Sequence, residues 1–445
     1  MDATEKRIIQ AIDENREEII SFARDIYTHA ELGYKEFRTA EAFIKKVGEH
    51  SERIESELAV TGVKAYLNQD KKDNFSLALI GELDALRIPG HKYYNPQTDG
   101  AHCCGHHAQL TGVFGASIAL SVPEVAKQLD GQVIFFATPA EEYGEVDFKK
   151  GLMQKGKIKY GGGKCELIRI GAFDDVDVAL AHHTSIGNEV TYGSGENNGF
   201  VSKVIRIKGK AAHAAGAPEQ GINALYAASL GLQALNAQRE TFRDEDHVRV
   251  HPIQTEGGSL VNVIPEEAVI ETLVRAGNEE AILDASKKTD RAFKAGAYAL
   301  GAAYEIETLP GYLPGIPQKF PEEVAEIFKE VVTEYPVSPA KPGSRSNGST
   351  DVGDVQHLLP VLTFRTGGVT GGLHRSDFEV VDEEEAYILT AKLFALSAYR
   401  ILRNGAKVGK DLKNSYHPVY KNKEEYIRFM DSFYVTERGG GSEDI

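Results

Sequence analysis

Ala101-His102-Cys103-Cys104-Gly105-His106-His107 places two cysteines and three histidines within seven residues. Thiolate and imidazole are the side chains that bind borderline transition metals best. A packed core has no use for so many metal-seeking groups in one place. The stretch opens a helical run over residues 109–120, so its side chains fan out from a helix N-terminus. Free backbone N–H groups there favour thiolate over thiol.

Working outward, composition bounds the rest. A chain of 445 residues allows two or three domains. Its 42% hydrophobic and 26% charged content is that of an ordinary soluble protein. A net charge of −16 argues against nucleic acid or an anionic membrane as partner. Three cysteines, two of them adjacent, build no disulfide framework, and the first residues begin an amphipathic helix rather than a signal peptide. The expected compartment is the cytoplasm.

Periodicity predicts helices over 3–30 and from 39, strands over 53–67, 75–86 and 132–138, and a short strand over 175–180. The Gly/Lys-rich segment 149–163 has no clear period and reads as a mobile loop. Strands separated by helices indicate an α/β sheet with its site at the C-terminal strand ends. After Gly195 the pattern changes to strand 201–208, helix 222–238, strands 248–254 and 268–275, helix 278–300 and strand 304–308. That βαββαβ order is a ferredoxin-like α+β insert. A helix over 321–332, a loop over 336–353, a strand over 361–366 and a helix over 383–403 follow. The expected organisation is one discontinuous domain, 1–195 with 310–435, an inserted domain, 196–309, and a disordered tail, 436–445.

The chemistry collects at the strand ends. Asp84 closes one strand, Cys104 and His106 follow a loop, Glu141 and Glu142 close the next strand, His182 and His183 another, and His374 lies after the last. Cys104, His106, Glu142, His183 and His374 are too many ligands for one tetrahedral site and suit two metals sharing a bridging ligand and a water. Successive residues at a strand end point in different directions. One carboxylate of the Glu141-Glu142 pair can therefore bind metal while the other takes a proton from the water that a metal acidifies.

Several stretches together resemble a known family. They are Gly81-Glu82-Leu83-Asp84-Ala85-Leu86, His102-Cys103-Cys104-Gly105-His106, Thr138-Pro139-Ala140-Glu141-Glu142 and Gly209-Lys210-Ala211-Ala212-His213-Ala214-Ala215. Ala172-Phe173-Asp174-Asp175-Val176-Asp177, Asn262-Val263-Ile264-Pro265 and Ser349-Thr350-Asp351-Val352-Gly353-Asp354 continue the series in order. The chain resembles the metallopeptidase family M20 of aminoacylases and carboxypeptidase G. The likeness is to its amidohydrolase branch, on the side of p-aminobenzoyl-glutamate hydrolase and dipeptidase-like members.

The resemblance implies a zinc-peptidase-like α/β catalytic domain, its mixed central sheet flanked by helices, and an inserted dimerisation and lid domain. It implies Cys104, His106, Glu142, His183 and His374 as ligands of two divalent ions, zinc or manganese first, cobalt or nickel next. Glu141 is then the general base and Asp84 orients the centre. His213 stabilises the oxyanion in the partner subunit's site, and Asn262 and Arg275 hold the substrate carboxylate. The implied partners are a small amide substrate and a second copy of the chain. Departures from the family pattern are Cys103, His107, Arg87 and the doublet His182-His183, where either histidine could be the ligand. Two alternatives stand beside this reading: a relative that binds metal or ligand without catalysis, and a cysteine hydrolase using Cys103 or Cys104.

Overall fold

The computed structural model describes residues 1–441. They divide into two compact units, 1–195 with 316–344 and 354–423, and 196–315 with 345–353 and 424–441. Among the described residues no helix is long and apolar enough to cross a membrane.

The first unit is built on an eight-stranded mixed sheet. Its strands lie in the order Arg53–Leu58, Gly62–Leu67, Gln132–Thr138, Ser76–Glu82, Val178–Thr184, Val361–Thr366, Val190–Tyr192, Val337–Pro339. Four of them, Gln132–Thr138, Ser76–Glu82, Val178–Thr184 and Val361–Thr366, run parallel at the centre. Gln132–Thr138 and Ser76–Glu82 are buried at every position, as parallel strands covered on both faces require. Their C-terminal ends therefore lie along one edge, where the sequence placed the chemistry.

The His106–Leu120 helix is wholly buried and explains why the metal-seeking stretch sits where it does. It packs against the helix Thr390–Ser415 through glycines. A Cβ at Gly112 would lie 2.6 Å from the Thr390 methyl group and 2.9 Å from the Phe394 ring. Close approach of two helices needs small residues at the crossing, and burial of apolar surface on both then stabilises the pair. The helix expected over 383–403 begins as a π-helical stretch, Glu384–Leu389, and continues past a non-helical kink at Arg403–Ala406.

The second unit carries the expected insert. The helices Ala224–Gln238 and Glu279–Ala299 accompany an antiparallel sheet. Arg249–Val250 and Ile253–Glu256 pair with Glu267–Ala276, which pairs with Gly199–Lys208, then Ala303–Tyr312, then Val435–Gly440.

Three expectations need correction. The tail expected to be disordered from 436 forms the strand Val435–Gly440, and 442–445 lie outside the described residues. That strand pairs along the Ala303–Tyr312 edge, with Arg438 2.7 Å from Glu305 and Glu437 against Lys294. An open sheet edge offers backbone groups that any extended segment can satisfy, so no apolar period marked it. The segment read as a mobile loop over 149–163 instead contains most of the helix Val146–Gln154, with Lys149 buried. The loop over 336–353 contains two short strands, Val337–Pro339 and Arg345–Ser346. The boundaries also differ from the expected ones, because 310–315, 345–353 and 424–435 join the second unit.

Candidate metal centre

The centre is assembled from the parallel strand ends of the first unit. Gly105 is the local reason that Cys104 and His106 can both face it. Its φ is +92°, and a Cβ there would collide with the Thr184 side chain. Only glycine meets both demands at low cost. Cys104 Sγ then lies 3.5 Å from His183 Nε2 and 3.4 Å from His374 Nε2. His374 Nε2 is 3.1 Å from Glu142 Oε1.

Each histidine is oriented by its other nitrogen or by its backbone. His106 Nδ1 donates to the Asp84 carbonyl at 2.8 Å and lies 3.2 Å from Asp84 Oδ1, turning Nε2 toward the centre. His183 Nδ1 donates to the Thr184 carbonyl at 2.7 Å. His374 has a φ of +60°, and its N–H donates to the Cys103 carbonyl at 2.9 Å. Such bonds fix the tautomer and aim the free nitrogen, as metal-binding imidazoles require.

Three sets of donors lie with their ligand atoms within 4.8 Å of one another: Cys104, His106 and His183; Cys104, Glu142 and His374; and Glu82, His106 and Glu141. The donor set fits a metal on the chemistry of its own atoms. His106 Nε2 and Glu142 Oε1 are buried and make no hydrogen bond, although His106 Nε2 lies 3.0 Å from Glu82 Oε2. Burial disfavours charge on His106, yet Glu82 and the Cys104 thiolate outweigh it and hold the imidazole well above its usual range. Cys104 and Glu142 beside the ring push His374 up to about 11. Burial raises the Cys104 thiol, but His183 and His106 bring it well below its ordinary value. The positive charge drawn into this cluster is the charge a divalent cation supplies.

Burial raises the Glu142 carboxyl, with the Cys104 thiolate adding to the shift. Asp84 is fully buried, and the His106 ring holds its carboxyl below the usual range against burial. Glu141 Oε2 lies 3.9 Å from His106 Nε2. The N–H groups of both neighbours of Glu141 are held: Glu36 Oε1 accepts the Ala140 N–H at 2.8 Å and Asp84 Oδ2 accepts the Glu142 N–H at 2.9 Å.

The His182-His183 ambiguity resolves by strand alternation. His182 turns to the opposite face, where it pairs with Thr366 Oγ1 at 2.8 Å and packs on Phe364 and Phe394. His102, Cys103 and His107 are buried and outside the three ligand sets. His107 lies 4.5 Å from the Tyr27 ring, and burial holds both imidazoles neutral, His102 at about 3.

The remaining expected residues belong to the second unit. His213 and Asn262 are neighbours there, since His213 bridges Val263 and the Ala214 N–H donates to the Asn262 carbonyl at 3.0 Å. His213 is exposed and its Nδ1 accepts from the Ala215 and Gly216 N–H groups. Arg275 lies on the strand Glu267–Ala276 with its guanidinium 5.7 Å from the Phe200 ring centre.

Sequence reasoning missed Glu82 as a member of the site. It is buried, accepts from Lys164 Nζ at 2.6 Å and Gln109 Nε2 at 2.8 Å, and faces His106. Its spacing of two from Asp84 on one strand was the available signal, because alternate residues share a face. Glu36 carried no such signal, being distant in sequence from every ligand.

Residues 195–299 match the peptidase dimerisation domain of the M20 family. The Xaa-Arg dipeptidase of Mus musculus is 27% identical over 81% of this chain and 79% of its own. One of the p-aminobenzoyl-glutamate hydrolase polypeptides of Escherichia coli (strain K12) is 29% identical over 68% of this chain and 58% of its own. Among solved structures, the Bacillus subtilis YXEP protein, a dinuclear metal binding peptidase, superposes with a TM-score of 0.64 at 22% identity, over 88% of this chain and 99% of its own. The chain is a two-unit α/β protein with a cluster of donors able to hold metal. Its curated relatives are amidohydrolases and peptidases.

Proposed function

We propose that this chain is a metal-dependent amidohydrolase that cleaves the amide between an acyl or aminoacyl group and an amino acid with a free carboxylate. The observation that carries the reading is that Cys104 belongs to two ligand sets at once, with His106 and His183 and with Glu142 and His374. A shared thiolate suits two divalent ions, and its softness together with three imidazoles favours zinc, with manganese, cobalt or nickel as other candidates. When bound, such ions lower the pKa of a coordinated water to roughly 7 and polarise the scissile carbonyl.

The chain's own residues supply the rest. Glu141, with the N–H groups of both neighbouring residues held, accepts a proton from the attacking water at its carboxylate and delivers it to the leaving nitrogen. Asp84 keeps His106 in the tautomer that presents Nε2. In His213, Nδ1 accepts two backbone N–H groups, which leaves the ring hydrogen on Nε2 as a donor for the oxyanion. Asn262 and Arg275 hold the substrate carboxylate. A homodimer through the inserted unit is part of this reading, supported by the dimerisation-domain match. A cytoplasmic setting fits the three cysteines, all buried and unpaired by disulfides.

Elemental analysis of protein purified without chelator, with hydrolysis of p-aminobenzoyl-glutamate, N-acyl amino acids and dipeptides on the same sample, tests the proposal. About two metals per chain with amide cleavage is the expected result. Two metals without cleavage would favour a binding relative, and no metal after loading with zinc or manganese would overturn the reading.

A further inference from the structure

Arg365 stands in an unusual position for an arginine. It lies on the central strand Val361–Thr366, in register with His183 on one side and Thr191 on the other. Laterally paired residues of a sheet project from the same face. Arg365 therefore leaves the sheet on the face from which His183 reaches to 3.5 Å from Cys104 Sγ. Its guanidinium interacts electrostatically with the Cys104 thiolate.

Among the described residues no hydrogen bond or ion pair engages Arg365. The carboxylates of the centre are already taken. Glu82 is bound by Lys164 and Gln109, Asp84 by the Glu142 N–H and His106, and Glu142 by His374. The side chain keeps access to solvent while neighbouring atoms crowd it, and burial lowers its pKa against the opposing pull of the Cys104 thiolate. A guanidinium placed this way bears a desolvation cost that a bidentate anion would offset.

We propose that Arg365 binds a second anionic group of the substrate, beyond the carboxylate next to the scissile amide, so that the preferred amides are dicarboxylic. This deepens the amidohydrolase reading and rests on it. The two relatives compared above differ on this point. One is named for a leaving amino acid with a cationic side chain and the other for one with an anionic side chain. A guanidinium on this face of the sheet repels the first kind and attracts the second.

The second carboxylate can reside on the leaving amino acid or on the acyl group, and matched pairs separate the two sources. N-acetyl-glutamate against N-acetyl-glutamine tests the amino-acid side. N-succinyl-glutamine against N-acetyl-glutamine tests the acyl side. The metal-loaded full-length protein is expected to favour the charged member of one pair by about ten- to hundredfold in kcat/KM. Arg365→Gln should level that pair, mainly through a raised KM for the charged member, so that the charged-to-neutral ratio of kcat/KM falls to about one. Arg365→Lys should recover part of the preference. Equal rates within both pairs, or a preference that survives Arg365→Gln, would overturn the proposal and leave the hydrolase reading standing. A uniform loss on all substrates with altered metal content would assign Arg365 to the thiolate instead, which also overturns it. No hydrolysis of any panel member would remove both readings.

Discussion

Asp84 Oδ2 accepts the backbone N–H of Glu142 at 2.9 Å, and so fixes the peptide on one side of Glu141. Glu36 holds the chain one peptide further back on the other side, accepting the N–H of Ala140 at 2.8 Å. Ala140 has a φ of +47°, a conformation that costs a non-glycine residue roughly 1–3 kcal/mol and persists only where its surroundings enforce it. Glu36 is fully buried, is also held by the Thr61 hydroxyl at 2.6 Å, and is the group that enforces it. We predict that Glu36→Ala lowers kcat by about tenfold to a hundredfold with metal content retained, because a small misplacement of a base is costly. Glu36→Gln keeps an acceptor oxygen and should recover most of the rate. Equal kinetics for Glu36→Ala and the parent protein would remove this role.

The base itself gives the sharpest test of mechanism. Glu141→Gln preserves shape and removes the proton acceptor. Turnover should fall by about 10²–10⁴-fold while elemental analysis still finds metal, since Glu142 and not Glu141 pairs with His374 and Cys104. An active Glu141→Gln protein would refute the assignment.

Because Cys104 lies in two ligand sets, its loss should differ from that of a terminal ligand. Cys104→Ala is expected to lower the occupancy of both metal positions. His183→Ala and His374→Ala should each lower one and spare the other. Metal titration followed by calorimetry reads the two cases directly, and identical stoichiometry in all three variants would count against a shared thiolate.

Glu385 provides a pH signature of stability away from the ligands. It is buried, accepts the Gly367 N–H at 2.9 Å, and burial raises its carboxyl from 4.5 to about 7. Below about 4.5 both folded and unfolded chains carry the proton, and its contribution to stability is fully present. Between that value and about 7 the unfolded chain ionises first, so stability falls as pH rises through this window and then levels. Glu385→Gln should match the parent near pH 4 and exceed it by about 1–3 kcal/mol near pH 8. Urea midpoints across that range measure the difference, and parallel profiles would show that Glu385 is not its source.

The C-terminal strand makes a separate prediction. Val435–Gly440 covers the Ala303–Tyr312 edge of the second unit. Deleting residues 435–445 bares that edge, and the variant should melt earlier by several degrees, about what a loss of 1–2 kcal/mol produces, and associate in size-exclusion chromatography. An unchanged melt and elution would mean that the strand adds nothing to the sheet.

Much of the site was legible in the residues alone. Cys104, His106, Glu142, His183 and His374 stand at strand ends that a parallel sheet must gather at one edge, and the structure brings their ligand atoms together in overlapping groups. The βαββαβ order was legible for the same kind of reason, since apolar periods of two and of 3.6 separate strands from helices. What only the tertiary structure decided concerns partners distant in sequence. The choice of His183 over His182 needed to know which face of the Val178–Thr184 strand meets Cys104 and which meets Phe394. Glu36 and Ala140, Glu82 and Lys164, and Arg365 beside His183 are brought together by sheet register and helix packing, and no local spacing encodes them. The final strand was silent in sequence because edge pairing uses backbone N–H and C=O groups that nearly every residue carries, and side-chain patterns record burial rather than backbone pairing.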